Sequence, residues 1–113
     1  MNTITAKFGG TSLADASQIK KAAAIIKNDP SRRFVVASAP GKRFTDDIKI
    51  TDLLYKAHSQ YINNEDFDGT LSQISERFAA IIKDLAINFD IDSEIKAIKA
   101  NISRRDYLAS RGE

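Results

Sequence analysis

The sequence predicts an α/β fold: part of a three-layer α/β/α arrangement with a βαβ start followed by several helices. Three observations carry this. Two short strand-like runs flank a helical pattern within about 35 residues. The second run lacks the alternation of a half-exposed strand. After it, apolar residues recur at helical spacing almost to the end.

Ile4, Ala6 and Phe8 alternate with Thr3, Thr5 and Lys7, and the run stops at Gly9-Gly10, a strand ended by a flexible turn. A helix is expected from Asp15 to Lys27. Asp15 caps it, Gln18 holds the capping-box position, and Ile19, Ala22, Ala23 and Ile26 form one apolar face. Asn28-Asp29-Pro30 ends it, because proline disfavours helix in the residue before it. Arg33 to Ser38 forms the second strand, and its Phe34-Val35-Val36 centre predicts burial on both faces of a parallel sheet. The strand–helix–strand unit should cross over right-handed. Ala39-Pro40-Gly41 breaks the strand, and Lys42 to Lys49 is a charged loop. Thr51 or Asp52 is expected to cap the next helix, with Leu54, Ala57 and Tyr61 on one face. Asn63 to Gly69 reads as an acidic turn. Leu71, Ile74, Phe78, Ile81, Ile82 and Leu85 mark a long amphipathic helix, and Ile91, Ile95, Ile98 and Ile102 mark another. Ser103 can cap a last segment through Tyr107 and Leu108.

Only about twelve residues read as strand, against the usual fifth to quarter of a globular domain. Two parallel strands leave both edges open. The expectation is therefore the front part of a larger α/β domain, its sheet completed by further residues or by a homo-oligomeric partner chain.

Composition narrows the function classes. The 113 residues carry 17 Lys plus Arg and 15 Asp plus Glu, a net charge of +2. That weak excess does not point to nucleic acid. Apolar residues make up 42% and charged ones 28%, which fits a folded globular chain. No cysteine is present, which excludes disulfides and thiolate metal sites. The opening residues do not read as a signal peptide, and the longest apolar run, Ala22 to Ile26, is five residues. About 20 are needed to cross a bilayer, so a cytoplasmic location without membrane contact is expected.

Chemistry concentrates in four segments. In Lys7-Phe8-Gly9-Gly10-Thr11-Ser12, glycines between a strand and a helix let backbone N–H groups approach an anion, Lys7 adds a positive charge, and the Thr11 and Ser12 hydroxyls can donate. Phosphate suits such a nest; a plain turn beside a solvated lysine also fits. Ser38 ends the second strand on the same carboxyl edge, where open α/β sheets bind ligands, or is an ordinary strand exit. Thr51 can bond an anion at a helix start or simply cap the helix. Glu113, in the terminal Ser110-Arg111-Gly112-Glu113, can hold a ligand ammonium or sit at a frayed end. His58 is the only histidine, so one chain can build neither a two-His metal site nor a Ser-His-Asp triad, and it reads as a surface residue. The basic pairs Arg32-Arg33, Lys42-Arg43 and Arg104-Arg105 read as solvated faces.

Taken together and in order, these segments resemble the amino-terminal part of the aspartate kinases, within the amino acid kinase superfamily. The resemblance rests on Lys7 to Ser12, Val35 to Ala39, Thr51-Asp52-Leu53-Leu54 and Ser110 to Glu113. It implies an amino acid kinase-like fold. By the same resemblance Lys7 contacts the transferring phosphates of ATP, with Gly9, Gly10 and Ser12 on the phosphate side. Ser38 and Thr51 bind a substrate carboxylate, and Glu113 pairs with the α-ammonium of L-aspartate. The implied reaction is ATP plus L-aspartate giving ADP and 4-phospho-L-aspartate, the first step toward lysine, threonine and methionine. Mg²⁺ handling and the adenine pocket would come from the rest of a complete kinase domain, so the chain alone is expected to be inactive. Two other expectations stay open: a non-catalytic anion-binding or helical interaction module, and a family member acting on another acid.

Overall fold

A computed structural model describes residues 3–103. Strand β1 (Ile4–Phe8) is followed by a single 3₁₀ turn (Gly10–Leu13), helix α1 (Ala16–Asn28) and strand β2 (Arg32–Ala37). Helices α2 (Ile50–Ile62), α3 (Asp68–Leu85) and α4 (Ile91–Asn101) complete the order. The βαβ start and the following helices are those expected.

The two strands pair in parallel, with Lys7 opposite Val36 and Phe8 opposite Ala37. The Ser38 amide donates to the Phe8 carbonyl at 3.1 Å, carrying the ladder one residue past the strand. Both strands therefore end together, and the segments leaving them start side by side. Asp15 caps α1 as expected, accepting from the Gln18 amide at 2.9 Å.

The core lies among the helices. Ile50, Leu53, Leu54 and Ala57 of α2 meet Leu71 and Ile74 of α3 together with Ile98 and the neighbouring Ile102 at the α4 end. Each set recurs three or four residues apart, so one stripe per helix is buried. Helix α1 packs on α3 and more sparsely on β2.

Three expectations change. Phe34, Val35 and Val36 are 62, 44 and 49% exposed, so β2 is not covered on both faces among the described residues. The cause is that α2, α3 and α4 pack on one another rather than across the sheet. Secondly, α2 starts at Ile50, with Lys49 in the capping position and no side-chain cap bond. Burying Ile50 pulls the helix start back, and its amide donates to the Pro40 carbonyl at 3.1 Å. Thr51 thus lies inside the first turn and is not a cap. Thirdly, the buried face rotates accordingly: Tyr61 is exposed and meets Phe67 edge-to-face at 6.3 Å. His58 is half-buried on α2.

Candidate functional site

The cleft is built where the two strands end. The chain leaving β1 turns through Gly9 into the 3₁₀ turn, closed by the Ser12 amide donating to the Gly9 carbonyl at 3.1 Å. The chain leaving β2 runs through Ser38-Ala39-Pro40-Gly41. The two exits touch backbone to backbone: the Gly41 amide donates to the Gly10 carbonyl at 2.8 Å. No side chain fits between them. A Cβ on Gly41 would lie 2.6 Å from the Gly10 carbonyl carbon, and one on Gly10 would lie 3.1 Å from the Gly41 Cα. Neither glycine has positive φ. Close approach, not unusual dihedral freedom, is what these positions require.

Beside this contact is a cleft of about 230 Å³ lined by Gly10, Thr11, Ser38, Ala39, Pro40, Gly41, Lys49 and Thr51. Gly10, Ser38 and Thr51, singled out separately in the sequence, are brought together here. Lys7, Gly9 and Ser12 are exposed and are not among the lining residues. A Cβ on Gly9 would meet nothing within 4 Å, so packing does not require glycine there. Glu113 and its Ser110-Arg111-Gly112 neighbours lie outside the described residues, as does the segment expected after Ser103.

The lining offers hydroxyls, backbone groups and one ammonium, that of Lys49. It contains no carboxylate, and no cluster of three or more metal-ligating side chains exists among the described residues. These residues suit an anion and do not by themselves provide a Mg²⁺ ligand set.

Behind the cleft, Arg77 of α3 is 7% exposed. Its Nη2 donates to the Ala14 carbonyl at 2.7 Å and to the Gly41 carbonyl at 2.8 Å, while Nη1 donates to the Ile48 carbonyl at 3.0 Å. Burial lowers the guanidinium's pKa, and nearby Arg43 adds to the effect. In the 42–49 loop, Arg43 donates from its backbone amide and Nε to Asp47 Oδ2 and from Nη2 to Oδ1. These bonds hold the Asp47 carboxyl far below the usual carboxylate range. Lys42-Arg43 is therefore only partly a solvated face, since Arg43 closes its own loop.

Sequence reading missed Arg77, and gave Gly41 and Lys49, which flank the segments it singled out, no role of their own. Gly41 reads as a turn glycine until its partner is known. Arg77 did carry a signal. It stands three residues after Ile74 and four before Ile81, on the buried stripe, where a charge needs an internal partner.

Comparison with known proteins fits this architecture. The chain superposes on aspartate kinase of Clostridium acetobutylicum with a TM-score of 0.92 and 43% identity, over 99% of this chain and 27% of that one. It also aligns with aspartokinase 3 of Bacillus subtilis at 39% identity over 90 residues, 80% of this chain and 20% of the relative. Over nearly its whole length the chain is similar to one part of the aspartate kinases. Escherichia coli aspartokinase III, solved in complex with aspartate and ADP, shares the fold at a TM-score of 0.70 and 26% identity, over 99% of this chain and 26% of that one. No protein-family model matches. The chain spans about a fifth to a quarter of the length of these aspartate kinases. No described helix is long and apolar enough to cross a membrane.

Proposed function

We propose that this chain supplies the amino acid subsite and part of the phosphate-binding edge of an aspartate kinase, which transfers the γ-phosphoryl group of ATP to the β-carboxylate of L-aspartate. The observation that carries this is the meeting of Gly10, Ser38 and Thr51 in one cleft at the carboxyl edge of a parallel strand pair. That a similar enzyme was solved with aspartate and ADP supports the substrate pair. The product is 4-phospho-L-aspartate, on the way to lysine, threonine and methionine, and the cytoplasm is its place.

The chemistry suits this lining. The β-carboxylate is already ionised at neutral pH, so it attacks phosphorus without a general base. One P–O bond forms to the carboxylate and the bond to the ADP oxygen breaks. The barrier lies in aligning two anions and neutralising their repulsion. In this reading Ser38 and Thr51 hold the substrate carboxylate, Glu113 its ammonium, and Lys7 with Gly9, Gly10 and Ser12 the phosphate side. Mg²⁺ ligands, the adenine pocket and cover for the exposed Phe34-Val35-Val36 strand belong to the parts of the kinase that this chain does not span, or to a homo-oligomeric partner.

The test is a chimera in which this chain replaces the matching segment of the Clostridium enzyme. Thr51→Val should raise KM for L-aspartate roughly ten- to a hundredfold through loss of a bond to a charged group, with KM for ATP little changed. Lys7→Ala should lower kcat/KM by about a hundredfold or more. An inactive chimera, or one indifferent to both substitutions, would overturn the reading.

A further inference from the structure

We infer that Arg77 is a positioning residue for the cleft: its buried Nη2 joins the two cleft walls and sets the spacing between them. Both hydrogens of that one nitrogen are used, one on each wall. The Ala14 carbonyl follows directly on the 3₁₀ turn that carries Gly10 and Thr11, and the Gly41 carbonyl belongs to the segment that carries Ser38. Gly41 is thus held twice, by its carbonyl to Arg77 and by its amide to the Gly10 carbonyl. Nη1 fixes the Ile48 carbonyl next to Lys49, which extends the hold to the third lining segment and to the start of α2. Three segments distant in sequence are referred to one rigid, planar group on α3.

The guanidinium's other features fit a fixed brace. Nε is buried and has no partner among the described residues, so some hydrogen-bonding capacity has been given up to place the two Nη atoms. A planar fork with fixed donor directions sets carbonyl positions more narrowly than a flexible ammonium can. Arg77 does not line the cleft, so it acts on a ligand only through the backbone it holds. The consequence for ligand binding rests on the amino acid subsite proposed above; the bracing itself does not.

The experiment uses the full 113-residue chain with Arg77→Met and Arg77→Lys. Amide hydrogen exchange is followed by NMR at Gly41 and at Leu54 and Ile74 in the helical core. With Arg77→Met, exchange at Gly41 should accelerate about tenfold or more beyond any change at Leu54 and Ile74, because the wall opens locally. Arg77→Lys should recover part of that protection, since one ammonium can still reach two carbonyls but holds them less firmly. It also provides the reading if the methionine variant fails to fold. Equal acceleration at all three amides would overturn the inference, because a residue that serves only global stability acts everywhere alike.

L-Aspartate titrated into the same proteins, read from the shifts of Gly10, Ser38 and Thr51, supplies the second arm. Binding should weaken roughly ten- to a hundredfold in Arg77→Met and less in Arg77→Lys. Unchanged affinity alongside a loosened Gly41 would overturn the positioning role. No aspartate binding by the unsubstituted chain would overturn the amino acid subsite instead, and the exchange data would still decide the brace.

Discussion

Alanine at Gly41 tests the closest backbone approach in the molecule's cleft. The new Cβ would stand 2.6 Å from the Gly10 carbonyl carbon, 2.9 Å from its oxygen and 2.9 Å from the Thr11 nitrogen, all of them backbone atoms that cannot swing aside. The two strand exits must therefore separate. Overpacking of this kind costs about 1–3 kcal/mol. Losing the 2.8 Å bond from the Gly41 amide to the Gly10 carbonyl adds about 1 kcal/mol. A stiffer unfolded chain returns about 0.5 kcal/mol. The net loss is about 1.5–3.5 kcal/mol. With a urea slope of about 1.5 kcal/mol/M, the unfolding midpoint should fall by about 1–2.3 M. Two internal controls sharpen the test. At Gly10 the tightest contacts of an added Cβ are 3.1 Å, so Gly10→Ala should cost about 1 kcal/mol. At Gly9 nothing lies within 4 Å and φ is −76°, so Gly9→Ala should stay within about 0.5 kcal/mol of the starting protein. Equal midpoints for the Gly41 and Gly9 variants in urea titrations followed by circular dichroism would refute the reasoning.

Two further outcomes follow from the local geometry. Ala86 ends α3 in the left-handed region, with φ 54° and ψ 41°, while the Ile87 amide reaches back to the Ile82 carbonyl at 3.2 Å. Ala86→Gly should therefore raise stability by about 0.5–1 kcal/mol, read as a higher urea midpoint. For Asp47, the guanidinium of Arg43 holds the folded-state carboxyl far below its unfolded value. Its contribution is thus fully present above about pH 4 and is lost as pH falls further. The stability gap to Asp47→Asn should be constant from pH 7 to about pH 5 and shrink below about pH 4; a gap that instead narrows as pH rises would refute the pairing.

Much of the fold is legible in the sequence because its signals are local. Asp15 with Gln18 marks a helix start through a bond three residues long, and the Ile91-Ile95-Ile98-Ile102 repeat marks an apolar stripe from which the core takes Ile98 and Ile102, with Ile95 packed against them. The parts that escape depend on contacts made at a distance. Thr51 carries cap chemistry, yet Ile50 is worth more buried than Thr51 is as a cap, and tertiary packing moves the helix start. Phe34-Val35-Val36 reads as a strand covered on both sides, and only the helix packing shows that the described residues do not cover it. The site divides the same way. Ser38 was placed by its position at a strand end, which any parallel pair would share. The need for glycine at 41 arises from a chain segment about thirty residues earlier, and no neighbour in sequence announces it.

Among the described residues the cleft lining carries no carboxylate or imidazole, and the Lys49 ammonium is its one formal charge, so its capability rests largely on position. Hydroxyls and amides interact with an anion over a few tenths of an ångström of useful range. A site made of such groups is therefore sensitive to backbone placement in a way that a strongly charged site is not. Here the placement is secured by two glycines in contact and by a buried arginine on α3. Function in this segment should then be lost as readily through substitutions that open the walls as through those that remove Ser38 or Thr51. A survey of variants over residues 10–51 and 77, leaving aside Ser38 and Thr51 themselves, should show losses of ligand affinity that follow Gly41 exchange rather than global stability.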